Sequence, residues 1–418
     1  MPSFLFSLTL FLSAFLLFLI QPLFAKMVLP RLGGSPAVWN TCMVFFQAVL
    51  LAGYCYAHVL ASRMKSKLQF VAHLILMLLP LFVLPVRIPS IWSTPPAEAN
   101  PIGWLLGLLA IAVGLPFFVV STSAPLLQKW FASTGRSEAK DPYFLYAASN
   151  MGSLLALLSY PFFIEPRWTL KEQAMGWAWG YGVLIVLMLG VGLFLWKSEE
   201  TGRPAVSDEK APPLPAVRIA RWIFLAFIPS SLMLGLTAYV ATDVASVPLL
   251  WIVPLAIYLL TFILVFSKKS VIPHAWMLRA FPHLILITSL MIASPLLSPM
   301  NVVILLHFLT FFVIAMVCHG ELAKDRPDPR YLTVFYLCLS VGGVLGGVLN
   351  ALLAPVLFQW ALEYPLVIVL AILVLPGLRE GGSEEKRRDW LIGLGMGVVF
   401  FVAVRGLGHF QAIKLVFY

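Results

Sequence analysis

The side chains best placed to do chemistry in this chain are polar groups set inside long apolar runs. Gln21-Pro22 interrupts the first run. The proline removes a helix hydrogen bond, and the neighbouring glutamine can satisfy a freed backbone group. Asn40 and Gln47 stand seven apart, on one face of a helix. Burying such groups costs free energy, so they either bond to neighbouring helices or line a polar cavity. Ser121-Thr122-Ser123 and Gln128 share a fourth run, where hydroxyls can bond back to their own helix. Asn150 and Asn350 lie in runs rich in Gly and Ser, which let helices approach closely. His73 and His307 are lone histidines of the kind that either relay protons or pack.

Three charges could act together. Lys26 and Arg31 follow the first run and Asp243 follows the seventh. Either an ion pair between them gates the outer mouth, or they are two snorkelling bases and one solvated acid. Cys318-His319-Gly320-Glu321 puts three possible metal ligands in four residues. Further ligands are not evident nearby, so no metal is expected, and Gly320 reads as a helix end.

No nucleotide loop, GxSxG, HExxH or Gly-rich strand–helix turn occurs, so no catalytic residue and no cofactor is expected. Cys42, Cys55, Cys318 and Cys338 lie in or beside apolar runs without CxxC spacing and read as small buried hydrophobes. Carboxylates are nearly absent from the runs. A polycation carrier would need them to offset charge, so a neutral, anionic or lipid-like substrate fits better.

These residues must be held by membrane-spanning helices. Of 418 residues, 61% are apolar and only 11% charged, against roughly 45–50% and 25% in soluble domains. Runs near the ~20 residues a span needs occur at 3–25, 37–60, 68–88, 102–131, 143–164, 173–196, 219–242, 245–266, 279–297, 300–319, 331–358 and 364–378, with a thirteenth at 390–405. The fold class is therefore an all-α polytopic membrane protein of 12–13 transmembrane helices. The first run lacks the basic flank of a removable signal.

Of the 28 Lys and Arg, only Lys26, Arg31, Arg87, Arg167, Lys171, Arg405 and Lys414 fall in odd-numbered loops or the tail. The others fall in even-numbered loops. The positive-inside rule puts those loops and the N-terminus in the cytoplasm, with a bacterial inner membrane as the expected location. Scattered basic residues of this kind do not suggest a nucleic-acid partner. Residues 197–218, rich in charge and proline, form a cytoplasmic linker. They divide a first repeat, 1–196, from a second, 219–378. Residues 379–418 add a charged loop, the extra span and a tail.

The halves match in order. Phe117-Phe118-Val119-Val120 parallels Phe311-Phe312-Val313-Ile314, an offset of 194. Asp141-Pro142 parallels Asp328-Pro329; Tyr146…Gly152-Ser153 parallels Tyr336…Gly342-Gly343 at 190; Pro36-x-x-Trp39 parallels Pro248-x-x-Trp251 at 212. Six spans per repeat make a parallel duplication, the architecture of major facilitator transporters, whose substrates bind between the halves. By that analogy the pathway is expected to be built from Gln21, Lys26, Arg31, Trp39, Asn40, Gln47, Asn150, Asp243, Trp251 and Asn350. Gln128, Asp141, His319, Glu321 and Tyr336 are expected at its cytoplasmic end.

Several segments also carry a resemblance: QPLFAKMVLPRLGGSPAVWNTCMVFFQ (21–47), APLLQKWF (124–131), DPYFLYAASNMGSLLALLSYPFFIEP (141–166), TDVASVPLLWIVPLAIYLLTFILVF (242–266) and CHGELAKDRPDPRYLTVFYLCLSVGGVLGGVLNALLAP (318–355). The sequence resembles the membrane region of the fused MFS/spermidine synthase-like proteins. That resemblance implies the membrane architecture. The soluble aminopropyltransferase-like half that many members carry is absent from this sequence, and no site residue carries over with a role. Three readings follow. The chain is a transporter working by rocking of its halves on an unknown small molecule. Or it is a membrane anchor or substrate channel for a separate soluble synthase-like protein. Or it is a structural partner of another membrane complex. A chain that ends naturally at Tyr418 acts alone or with a separate partner; a longer gene product makes it half of a fused enzyme.

Overall fold

The structure is a computed structural model describing residues 2–33, 36–92, 94–95, 101–134, 144–199, 214–243, 252–267, 271–293, 299–358 and 362–376, with 384, 387–388, 391–393 and 395 beyond. Its apolar helices are α1 (Ser3–Leu32), α2 (Val38–Arg63), α3 (Ser66–Phe82), α4 (Ile102–Ala132), α5 (Phe144–Ile164) and α6 (Leu170–Lys197). They continue as α7 (Ala216–Val240), α8 (Ile252–Phe266), α9 (His274–Ile292), α10 (Asn301–Lys324), α11 (Leu332–Leu357) and α12 (Glu363–Val374). Among the described residues nine are long and apolar enough to cross a membrane, and α3, α8 and α12 are shorter. No strand occurs among the described residues. Only helices satisfy every backbone group within a bilayer without closing a barrel. The outward faces carry exposed Phe82, Trp179, Leu193 and Val356, side chains suited to lipid.

Packing repeats itself with a shift of six helices. α1 packs on α4, α5 and α6, and α7 packs on α10, α11 and α12. α2 meets α4 as α8 meets α10, and α3 meets α6 as α9 meets α12. The halves join where α2 lies on α11 and α5 on α8. Each half has its own apolar core, one around Trp130, Trp177 and Tyr181 and one around Trp222, Phe281 and Phe335. Trp39 and Met43 of α2 belong to the second core and tie it across the seam.

The closest crossings use small residues, the device membrane helices rely on where lipid removes most of the hydrophobic drive. A Cβ on Gly152 of α5 would strike the carbonyl oxygen of Phe11 of α1, and one on Gly342 of α11 would strike that of Ile223 of α7. These two crossings differ by the offsets 190 and 212 already present in the sequence. α5 and α11 also each contain a π turn, Tyr160–Ile164 and Leu349–Leu353.

Several boundaries move. The run 68–88 is helical only to Phe82, tightening to a 3₁₀ turn over Leu79–Phe82, because Pro80 and Pro85 offer no N–H to continue it. The helix predicted at 279–297 begins earlier, at His274. Gly320 does not end its helix, which runs on to Lys324; interhelical bonds from Glu321, described below, hold that last turn. Most of 390–405 lies outside the described residues, as do Asp141 and Trp251.

Candidate functional site

A cavity of about 150 Å³ lies between the halves, walled by α1, α2, α4 and α5 on one side and α7, α8 and α11 on the other. Its wall follows the repeat. Every lining residue of α7 and α8 stands 212 positions after a lining residue of α1 or α2: Phe18 with Ser230, Gln21 with Met233, Met43 with Leu255, Phe46 with Tyr258, Gln47 with Leu259 and Leu50 with Phe262. Every lining residue of α11 stands 190 after one of α5: Ser149 with Leu339, Asn150 with Ser340 and Ser153 with Gly343. Ser13, Ala14, Leu17, Tyr54, Phe117, Val120, Ala124 and Tyr146 complete it. No described lining residue is charged.

The polar groups are oriented by their own helices. Gln21 Nε2 donates to Leu17 O at 3.3 Å and Asn150 Nδ2 to Tyr146 O at 2.8 Å. An amide whose nitrogen faces its own backbone turns its oxygen the other way. Gln21 thus serves the carbonyl of Leu17, not that of Phe18, which Pro22 leaves without its helical donor. Gln47 reaches across the seam, giving Nε2 to Ser230 Oγ at 3.3 Å, while Ser230 donates to Gly343 O at 3.1 Å. Ser340 Oγ is buried without a partner among the described residues.

Below the cavity, at the end of the even-numbered loops, aromatic rings close the seam. The repeat mates Tyr146 and Tyr336 stack on each other, with centroids 5.0 Å apart and planes at 28°. Tyr146 also meets Phe262 and Phe266 edge-on at 5.3 and 5.2 Å. Tyr336 donates its hydroxyl to Gln128 Oε1 of α4, and His58 Nδ1 lies 2.9 Å from Thr333 Oγ1. Gln128 and Tyr336, expected at one end of the pathway, are thus brought together there.

Other expected residues are elsewhere. Lys26 pairs with Glu165, inside the first half. Arg31 Nη1 donates to Met27 O at 2.7 Å, and the Asp243 side chain lies outside the described residues. Among the described residues Lys26 is held by Glu165, at the odd-loop end of α5 in the same half; the expected pairing with Asp243 falls outside them. Asn40 is buried behind the cavity wall, its Oδ1 unpartnered among the described residues. Asn350 Nδ2 joins α11 to α7 through Ser231 Oγ at 2.7 Å and also bonds Gly346 O at 2.8 Å; it is a packing bond outside the cavity.

His319 stacks on Phe262, centroids 3.6 Å apart, and meets Thr261 Oγ1 through Nδ1 at 2.9 Å. It stands one layer behind the wall. Glu321 holds Arg221 at 2.8 Å, His274 at 2.9 Å and Lys324 at 3.0 Å. Asp325 extends this network, accepting from Arg218 at 2.9 Å and Trp222 Nε1 at 2.9 Å. Cys318, His319 and Glu321 do not converge, and no group of three metal-ligating side chains occurs among the described residues. His73 touches Thr122 and Ser123 at 3.3 and 3.4 Å, and those hydroxyls also bond back to their own helix. His307 touches Tyr364 at 2.7 Å. All three histidines are packed.

Sequence reasoning missed Ser230, Met233, Tyr258 and Ser340. Adding 212 or 190 to its own polar candidates would have reached Met233 from Gln21 and Ser340 from Asn150.

No protein-family model and no curated protein matches the sequence. Solved structures do. The inward-open xylose transporter XylE from E. coli aligns at a TM-score of 0.55 and 13% identity, over 90% of this chain and 95% of that one. Its partially occluded inward-open form aligns at 0.56 and 14%, over 90% and 99%. The proton:xylose symporter XylE bound to 6-bromo-6-deoxy-D-glucose aligns at 0.54 and 12%, over 91% and 96%. The all-α polytopic fold is similar to that of these solved structures, one of them described as a major facilitator superfamily symporter. At these identities the likeness concerns the path of the helices and leaves the cavity chemistry to this chain's own residues.

Proposed function

We propose that this protein is a membrane transporter that passes a small molecule through the central cavity by rocking one six-helix half against the other. The observation that carries the reading is the wall itself. Matching positions of α1 and α7, α2 and α8, and α5 and α11 surround one space, so it lies on the axis relating the halves. Rocking of the halves about a line in the membrane plane through that space would expose the same groups to either side in turn. The seam below is closed by ring contacts and few hydrogen bonds, contacts cheap enough to break in a cycle. The xylose transporters whose solved structures are similar to this chain agree in kind with this function.

With the basic even-numbered loops inside, the seam of Tyr146 and Tyr336 is the cytoplasmic gate, the N-terminus is cytoplasmic and the membrane is a bacterial inner membrane. Residues 1–196 and 219–378 are then the two moving units. The resemblance of 141–166 and 318–355 to fused MFS/spermidine synthase-like proteins adds a finer reading, in which the transporter serves a separate soluble synthase-like protein. Co-purification of such a protein with the chain tests that addition alone.

Transport itself is tested without knowing the substrate. Ser340→Cys, in a chain freed of its four native cysteines, is treated with a membrane-impermeant maleimide from each side of the membrane. Alternating access predicts labelling from both sides. It also predicts that a disulfide between His58→Cys and Thr333→Cys abolishes labelling from the even-loop side and that reduction restores it. Labelling from one side only, whatever the state of that disulfide, would refute the transporter reading.

A further inference from the structure

The cavity wall is symmetric in position and asymmetric in chemistry. Gln21, Gln47 and Ser149 of the first half face the mates Met233, Leu259 and Leu339 of the second. With their nitrogens committed to their own helices, Gln21 and Asn150 present carbonyl oxygens, acceptors, among the hydroxyls of the first half. The second half sets the aliphatic side chains of Met233, Leu255, Leu259 and Leu339 beside the hydroxyls of Ser230, Tyr258 and Ser340. No described lining side chain carries a charge, so an ion entering would lose its hydration without a counter-charge. A polyol would set hydroxyls against the aliphatic stretch of Met233, Leu255, Leu259 and Leu339, where they find no partner. The volume, about 150 Å³, matches that of apolar protein cavities that hold one benzene ring.

From this we infer that the site takes an uncharged amphiphile: a body about one ring in size, bearing a hydroxyl or carboxamide. The donor end sits on Gln21 and Asn150, and the body lies against Met233, Leu259 and Leu339. The assignment names the substrate class of the transporter reading and rests on it for its physiological meaning.

The test is equilibrium binding of radiolabelled benzamide to the full chain in nanodiscs, with protein-free nanodiscs subtracted and unlabelled competitors added. Saturable benzamide binding is expected, displaced by benzyl alcohol. Benzoate, benzylammonium and xylose should each compete at least tenfold more weakly. Asn150→Leu should weaken benzamide at least fivefold and leave toluene competition unchanged. Because Asn150→Leu also removes an intrahelical bond, a second variant works by addition. Met233→Gln places an amide on the apolar face and should favour 1,4-benzenedimethanol, which has a donor at each end, over benzyl alcohol by at least fivefold. Xylose or benzoate competing as well as benzyl alcohol overturns the inference, and so does the absence of saturable benzamide binding. Saturable binding by a protein whose Ser340→Cys is labelled from one side only would sink transport and leave the ligand class standing.

Discussion

The two halves of this protein solve the same packing problem and then part company. At Phe11/Gly152 and at Ile223/Gly342 a helix backbone rests directly on a glycine, with the mates 212 and 190 residues apart. At the even-loop end they differ. The second half carries Arg218, Arg221, Glu321, Asp325 and His274 in one bonded network. The positions 212 and 194 residues earlier hold Thr9 for Arg221 and Leu127 for Glu321, both uncharged and both buried. The cavity repeats the lesson, with Gln21 and Gln47 on one wall and their apolar mates Met233 and Leu259 on the other. Position in the membrane is set by the shared backbone; chemistry is set half by half.

If the shared crossings hold the frame, the largest effect should come from filling them, and it should be equal in the two halves. Gly152→Ala and Gly342→Ala are each expected to cost about 3 kcal/mol, since a backbone carbonyl cannot move aside as a side chain can. Gly182→Ala, where nothing stands within 4 Å, should be neutral. Thermal unfolding followed by size-exclusion fluorescence measures all three. A large loss at one crossing only would break the comparison.

The charged network sharpens it. Glu321→Gln should cost about 2 kcal/mol, less than the usual penalty for breaking a buried pair, because Arg221 keeps Asp325 at 3.3 Å. The loss should be confined to the second half. Hydrogen exchange by mass spectrometry should show faster exchange at the even-loop ends of α7 and α10 and no change at those of α1 and α4.

A smaller effect belongs to the seam. Tyr336→Phe removes the bond to Gln128 but keeps the stack on Tyr146, a loss of about 1 kcal/mol. If that bond favours the closed even-loop end, maleimide labelling of Ser340→Cys from that side should rise about fivefold. An unchanged rate would place the closing force in the rings alone.

The smallest concerns Asp328. Burial pushes its carboxyl up, but the backbone N–H and guanidinium of Arg330, with the charge of Lys129, outweigh that and hold it below the usual range. A depressed carboxyl contributes stability above its unfolded pKa of about 3.9, and that contribution is lost as pH falls through the folded value. Asp328 is half exposed, so screening limits the term to a few tenths of a kcal/mol. Asp328→Asn should lower stability by about that much at pH 7 and by nothing once the carboxyl is protonated.

Much of the architecture was legible because hydropathy and repeat offsets follow from the membrane itself: α1 to α12 lie where long apolar runs required them. Gln128 and Tyr336 were legible as a shared end because each sits near a basic loop. Their mutual bond was not, since only docking of α4 on α11 brings residues 208 positions apart together. The pairing of Lys26 with Glu165 was not legible, because charge order along the chain does not say which helix ends meet. Met233 was invisible because an apolar residue in an apolar helix gives no signal until its mate, Gln21, is known to face a cavity.

The π turns of α5 and α11 carry a consequence for how this chain tolerates change. Loss of one residue from a membrane helix ordinarily rotates everything beyond it by about 100° and shortens it by 1.5 Å. A π turn holds one residue more than an α turn, so a deletion within Tyr160–Ile164 or Leu349–Leu353 would leave a regular helix in place of an irregular one. α5 and α11 therefore each have a spot where the helix can be shortened without being broken, and the two spots answer to each other across the molecule.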